Sequence, residues 1–277
     1  MKHLVVTADD FGLAPEVNAA VALAHQHGIL TAASLMVAGA AAADAVECAR
    51  RLPALHVGLH VVLVEGAPTL PPEELPDLVD ATGLLRTDMA RLGLEICVRP
   101  AVRAQLRAEI EAQFRAYHAT GLALDHVNAH KHFHLHPQIG NEIIAIGRRY
   151  GMRALRVPYE PTAILAEAEP GARGFPGYVA PWTRLLAWRA RRAGLRAPDY
   201  VFGLAWSGAM SASRLDSLMR HLPDGLTEIY FHLATRDDFE NCAEGYRYAD
   251  ELTALMAPDV IALTRQPDVT LGGYSDC

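Results

Sequence analysis

The sequence predicts an α/β fold, a distorted TIM-like (β/α) barrel of about seven parallel strands formed as one domain over residues 1–277. Three observations predict it. Short apolar runs alternate with amphipathic stretches from one end of the chain to the other, the pattern of repeated strand–helix units. The polar clusters fall where predicted strands end, which is where barrels of this kind carry their chemistry. Hydrophobic residues make up 51% of the chain and charged residues 21%, enough for a large core and contrary to disorder.

LVVTADD is the first predicted strand, and PEVNAAVALAHQHG follows as a helix with Pro15 in its first turn and Gly28 at its stop. TAASLMVAG and LHVGLHVVL are the next strands, separated by the helix AAAADAVECARR. In AVRAQLRAEIEAQFRAYHATG, the residues Val102, Leu106, Ile110, Phe114 and Tyr117 share one helical stripe, opposite the charges. ALDHVNAH is a strand, QIGNEIIAIGRRYG a helix and LRVP a further strand. TRLLAWRARRAGL and SASRLDSLMRHL are helical, LTEIYFHLA is a strand, and YADELTALMAP and VIALT supply a last helix and strand. Two proline-rich stretches, APTLPPEELPDL and YEPTAILAEAEPGARGFPGY, are candidate rim loops or lids.

A formal net charge of −7 gives no general attraction to polyphosphate, which excludes nucleic acid as an expected partner. The opening MKHLVVTADDFG has too short an apolar run for a signal peptide or a membrane span, so the expected location is the cytoplasm. Cys48, Cys97, Cys242 and Cys277 form no C-x-x-C pair and are expected to be ordinary reduced thiols. His25, His27, His56, His118 and His221 are expected to be structural.

DHVNAHKHFHLHP places histidines at 130, 132, 134 and 136, and Asn128 and His126 continue the same parity backward. In an extended chain all of them line one face, and imidazole is the commonest metal-ligand side chain. The alternative is a polar strand face, but a buried row of imidazoles without partners is costly. Asp9 and Asp10 can share a site only if the pleat breaks at the strand end, as the following Phe-Gly permits; a turn or cap pair is the other reading. With His60, one aspartate and the row make up a set of two histidines and one carboxylate, suited to a divalent ion with open positions.

TADDFGL, GLHVVLVEG, DHVNAHKHFHLHPQ and LRVP together resemble the YdjC-type carbohydrate deacetylases, whose typical forms are ADDFG, GLHLxL and HxDSHxHxHxHP; the likeness is strongest over residues 3–160. AASLMVAGAAAADAVECAR further resembles the branch associated with hopanoid biosynthesis. The resemblance implies a barrel of the deacetylase type and one divalent metal ion, zinc or magnesium, held by Asp10, His60 and His130, with Asp9 as general base. The family's aspartate two residues before the ligand histidine is Asn128 here; in that place it would orient the ligand imidazole without adding negative charge. The chain has HLAT after Phe231 where relatives often have histidine, proline and glycine, and the acid role falls on His232, or failing it on His132 or His134.

The reaction so implied is hydrolysis of an N-acetyl group on an amino sugar, with acetate as co-product. His132, His134 and His136 would line the site, donate hydrogen bonds to the residues that hold it, or contact substrate, and Arg156 would bind sugar hydroxyls or make a structural ion pair. If the branch resemblance holds, the substrate is the N-acetylglucosaminyl headgroup of a hopanoid glycolipid. WTRLLAWRARRAGLR, with its five arginines and two tryptophans, would then give peripheral contact with the inner membrane; an ordinary solvated helix is the alternative. The sequence is compatible with an oligomer. The competing classes are a metal-dependent phosphoesterase or amidohydrolase on a similar barrel, whose first strand would end in H-x-H, and a metal-binding protein without catalysis, which would not need Asp9.

Overall fold

The structure is a computed structural model; it describes residues 1–174 and 177–276, with the Tyr178 side chain left out. Cys277 lies outside the described residues, as does part of the second proline-rich stretch. The strands are β1 (Lys2–Phe11), β2 (Ala32–Leu35), β3 (His56–Val61), β4 (Val127–Ala129), β5 (Tyr200–Phe202), β6 (Gly225–Phe231) and β7 (Val269–Leu271). All their pairings are parallel, in the order β4-β3-β2-β1-β6-β5. The amino-terminal half of β1 also pairs with β7, through Lys2–Leu4, below the point where β2 begins to pair at Thr7.

The helices are α1 (Pro15–His27), α2 (Ala42–Arg51), α3 (Met89–Val98), α4 (Pro100–Ala119), α5 (Pro137–Arg149), α6 (Thr162–Ala168), α7 (Ala180–Arg192), α8 (Ala212–Arg220), α9 (Tyr248–Leu255) and α10 (Pro258–Leu263). The stripe expected on α4 is buried at every position, from Val102 to Tyr117. No helix among the described residues is long and apolar enough to cross a membrane. Cys48 is buried and Cys97 exposed, and both are free thiols.

LRVP is not a regular strand, but it performs a strand's task. Leu155 bridges Val127 of β4 on one side, and Ala154 bridges Arg196 on the other. The Val201 N–H of β5 then donates to the Tyr159 carbonyl, so this segment curls the sheet toward closure between its two edge strands. Pro158 removes one ladder donor there, which fits the irregular pairing.

Three expectations are corrected. VIALT is the body of α10 rather than a strand, because Pro258 at its first turn starts a helix. TAASLMVAG is extended only to Leu35; its continuation turns to let Gly39 pack on the Gly12 backbone, where an added Cβ would sit 2.3 Å from the Gly12 oxygen. The histidine row is not one strand face. Only residues 127–129 are strand; His130–Leu135 is a 3-10 turn in which Lys131 and His132 take left-handed φ of 52° and 53°. Pro137 opens α5 and holds His136 extended, so the chain must reverse within that short interval.

Candidate metal centre and active site

β1 carries Asp9 and Asp10 to the carboxyl end of the sheet. Asp10 has φ 60°, and the β1–β2 register shifts between Ala8 and Phe11. This is the break in the pleat that lets adjacent aspartates serve one site. His60 is on β3 directly opposite Asn128 on β4, and His130 leaves the end of β4. The three elements bring Asp10, His60 and His130 together. Asp10 Oδ1 lies 3.2 Å from His60 Nε2 and 3.1 Å from His130 Nδ1, and the two nitrogens are 3.4 Å apart. His232, at the end of β6, faces the other oxygen: its Nε2 is 4.0 Å from Asp10 Oδ2.

One carboxylate and two imidazoles whose donor atoms converge can hold a metal ion. The surroundings fit a cation. Burial pushes the Asp10 carboxyl up, but His130 and His60 hold it well below the usual carboxylate range. Burial lowers the His60 imidazole, but Asp9 and Asp10 raise it above its ordinary value, so the field at this point favours positive charge. His60 Nδ1 donates to Asn128 Oδ1 at 2.7 Å, which fixes the ring and turns Nε2 toward Asp10. Asn128 therefore orients His60 and not His130, because the β3–β4 register sets those two side chains side by side.

Asp9 is 2% exposed and points to the other side of His60. Arg156 grips it with two bonds, Nη1 to Oδ2 at 2.6 Å and Nη2 to Oδ1 at 3.0 Å. Asn128 Nδ2 adds a third bond, to Oδ1 at 2.9 Å. Burial pushes Asp9 up, yet Arg156 and then His60 hold it well below the usual carboxylate range, so it is ionised. The opposite edge of Arg156 meets Glu228 through Nε at 2.9 Å and Nη2 at 2.7 Å, and its guanidinium lies 4.6 Å from the centre of the Tyr230 ring. Of the two readings of Arg156, the structure shows the ion pair. The side chain is fully buried and both edges are occupied by carboxylates, which corrects the expectation that it meets sugar hydroxyls.

The remaining histidines separate. His132 lines the cavity and places Nε2 3.1 Å from the Tyr230 hydroxyl. His134 is fully buried and donates from Nε2 to the Arg156 carbonyl at 2.9 Å, with burial lowering its imidazole to about 4. It therefore supports the Arg156 backbone: of the places expected for it, the structure shows the donor behind the site and not contact with substrate. His136 donates to the Gly93 carbonyl, and His126 lies between Asp125 and Ser34. Gly58 makes room for His126, since a Cβ there would be 2.5 Å from the imidazole.

Two cavities meet at the cluster. One, of about 240 Å³, is polar and lined by Asp9, His60, His132, Ser207, Tyr230, His232 and Tyr246, among others. The other, of about 230 Å³, runs along Leu13, Met36, Val37, Val62, Leu84 and Tyr248. Asp10 and His130 belong to both walls. The non-glycine residues with positive φ among those described are Asp10, Glu65, Lys131, His132 and Asn241, and every one lines one of these cavities. Such conformations are costly and gather where a site demands them. The sequence reading missed Glu228 and Tyr230. Their signal was there: Glu228 and Tyr230 alternate along β6 and His232 follows its last residue, by the same parity that drew attention to the histidines.

A curled parallel α/β sheet with a histidine–carboxylate cluster at the carboxyl ends of its strands, of donor types that could hold a metal ion, defines a class of barrel proteins that carry their polar residues at the mouth. Within that class the chain belongs to the YdjC-like protein family, which it matches over residues 3–266. It is 35% identical over 275 residues to a protein of Vibrio vulnificus named carbohydrate deacetylase, covering 99% of this chain and 95% of that one. A human protein of the same name is 32% identical over 299 residues, covering 99% and 90%. A crystal structure from Enterococcus faecalis V583, described as a candidate cellobiose-phosphate cleavage protein, has the same fold with a TM-score of 0.78 at 22% identity, covering 99% of this chain and 98% of that one.

Proposed function

We propose that this protein, acting as one barrel domain, is a metal-dependent carbohydrate deacetylase that hydrolyses the N-acetyl group of an amino sugar. The observation that carries the reading is the convergence of Asp10, His60 and His130 with the ionised Asp9 beside them. The names of the Vibrio and human relatives support the substrate class. A divalent ion held by Asp10, His60 and His130, zinc or magnesium, would supply a Lewis acid for the acetyl carbonyl and lower the pKa of the attacking water. Asp9 takes the proton of that water. Its Oδ1 already accepts from Arg156 and Asn128, whereas Oδ2 accepts from Arg156 alone and keeps an acceptor position. The amine leaves once its nitrogen is protonated, and His232 delivers that proton. Burial keeps the His232 imidazole below its ordinary value, so the resting ring is neutral; it takes up from solvent water the proton that it passes to the leaving amine, and Asp9 gives the proton it took from the attacking water back to solvent, which returns both groups to their starting states.

The polar cavity suits the sugar, with His132 and Tyr230 as contacts. The second cavity shares Asp10 and His130 and carries Glu65, Gln113 and Asn241 beside Leu13, Met36, Val37, Val62 and Leu84; that aliphatic stretch suits the apolar part of an aglycone and is compatible with the N-acetylglucosaminyl headgroup of a hopanoid glycolipid as substrate. The exposed Trp182, Arg184, Trp188, Arg191 and Arg192 of α7 suit peripheral contact with anionic lipid from the cytoplasm. Acetate release from a panel of N-acetylated monosaccharides, chito-oligosaccharides and glycolipids, with and without chelator, tests the reading. Release that stops with chelator and returns with zinc or magnesium is expected. No release from any member, or release indifferent to chelator, contradicts it.

A further inference from the structure

We infer that Tyr274, remote from the cluster in sequence, is a positioning residue for the reaction: through Glu228 and Arg156 it fixes the Asp9 carboxylate. The inference rests on the deacetylase reading of Asp9. Tyr274 begins a short 3-10 turn after β7 and is fully buried. Asp125 anchors the turn by accepting from the Tyr274 and Ser275 N–H groups at 3.2 and 2.9 Å. The Tyr274 ring stacks on His126 with centroids 5.0 Å apart, and its hydroxyl donates to Glu228 Oε2 at 2.5 Å.

Glu228 is thereby saturated. Oε2 accepts from Tyr274 and from Arg156 Nε, and Oε1 accepts from Arg156 Nη2 and from the Thr7 hydroxyl at 2.7 Å. Guanidinium is a rigid plane, so the edge seated on Glu228 sets the direction of the edge that holds Asp9. The Tyr230 ring beneath it limits tilt. The Tyr274 hydroxyl bonds to Glu228, and neither residue lines the cavity that holds Asp9, so its contribution is to the aim of Asp9 and not to substrate affinity. A base displaced by a fraction of an ångström loses rate steeply while leaving binding intact.

Tyr274→Phe keeps the ring and removes the hydroxyl. Expected is a fall in kcat of about tenfold or more, with KM and metal content unchanged. In the Asp9→Asn background the same substitution should cause no further loss of the residual rate, because both act on one group. A packing role would instead give multiplying losses, and that result, or wild-type kcat in Tyr274→Phe, overturns the inference. Should Tyr274→Phe fail to fold, Thr7→Val removes the donor on the other Glu228 oxygen; the same kcat-only, non-additive loss is expected, and wild-type kcat again overturns it. Wild-type protein that releases no acetate overturns the deacetylase reading and this inference together, whereas active wild-type protein with an unaffected Tyr274→Phe overturns this inference alone.

Discussion

Asp9→Asn is expected to lower turnover by about 10²- to 10⁴-fold, the range for loss of a general base, while the protein keeps its metal. The two halves of this expectation come from different atoms. The oxygen that meets His60 and His130 belongs to Asp10, and Asp9 approaches His60 only to 3.9 Å, on the Nδ1 side that Asn128 occupies. An amide at position 9 therefore leaves the donor set whole and removes the acceptor for the water's proton. Steady-state acetate release beside metal content by elemental analysis checks both. Wild-type turnover would remove Asp9 from the mechanism and favour a protein that merely binds an ion; loss of metal would mean that Asp9 belongs to the donor set.

The second large effect is on stability. Arg156→Met is expected to destabilise the fold by about 3–5 kcal/mol, as for breaking a buried ion pair by removing one partner. Arg156 is the cation between Asp9 and Glu228, all three within the barrel. Burial alone would raise both carboxyls, and Arg156 is the leading influence that holds them low. Without it two carboxylates face each other in a site of low polarity, and one must take up a proton or the strands must part. Arg156→Lys should recover little, since an ammonium cannot offer two planar edges. The urea midpoint, read at unchanged denaturant slope, measures the effect. A stability within about a few tenths of a kcal/mol of wild type, from the midpoint shift times the slope, would mean that the two carboxylates find other partners.

Much of this was legible in the chain because strand alternation and turn chemistry are local. The Asp9–Asp10 pair with Phe-Gly after it announced a broken pleat, and the structure has it at Asp10. Pro15 and Gly28 bounded α1 as expected. Legibility failed where tertiary geometry overrode a local pattern. The histidine row has perfect alternation, yet the need to turn from β4 into α5 within a few residues folds it into a left-handed turn and sends each imidazole to a different neighbour. β5 and β7, at three residues each, are too short to carry a period, and VIALT is equally apolar as strand or helix. The partners of Arg156 were invisible because Asp9 and Glu228 are joined only by the parallel pairing of β1 with β6.

One cation is expected to be gripped by three side chains from β1, β3 and the end of β4. Anomalous diffraction from crystals grown with zinc tests it most directly. A single peak is expected, bonded to an Asp10 carboxylate oxygen, His60 Nε2 and His130 Nδ1 at about 2.0–2.2 Å. A peak seated instead among His132, His134 and His136, or none between Asp10 and the two histidines, would contradict it.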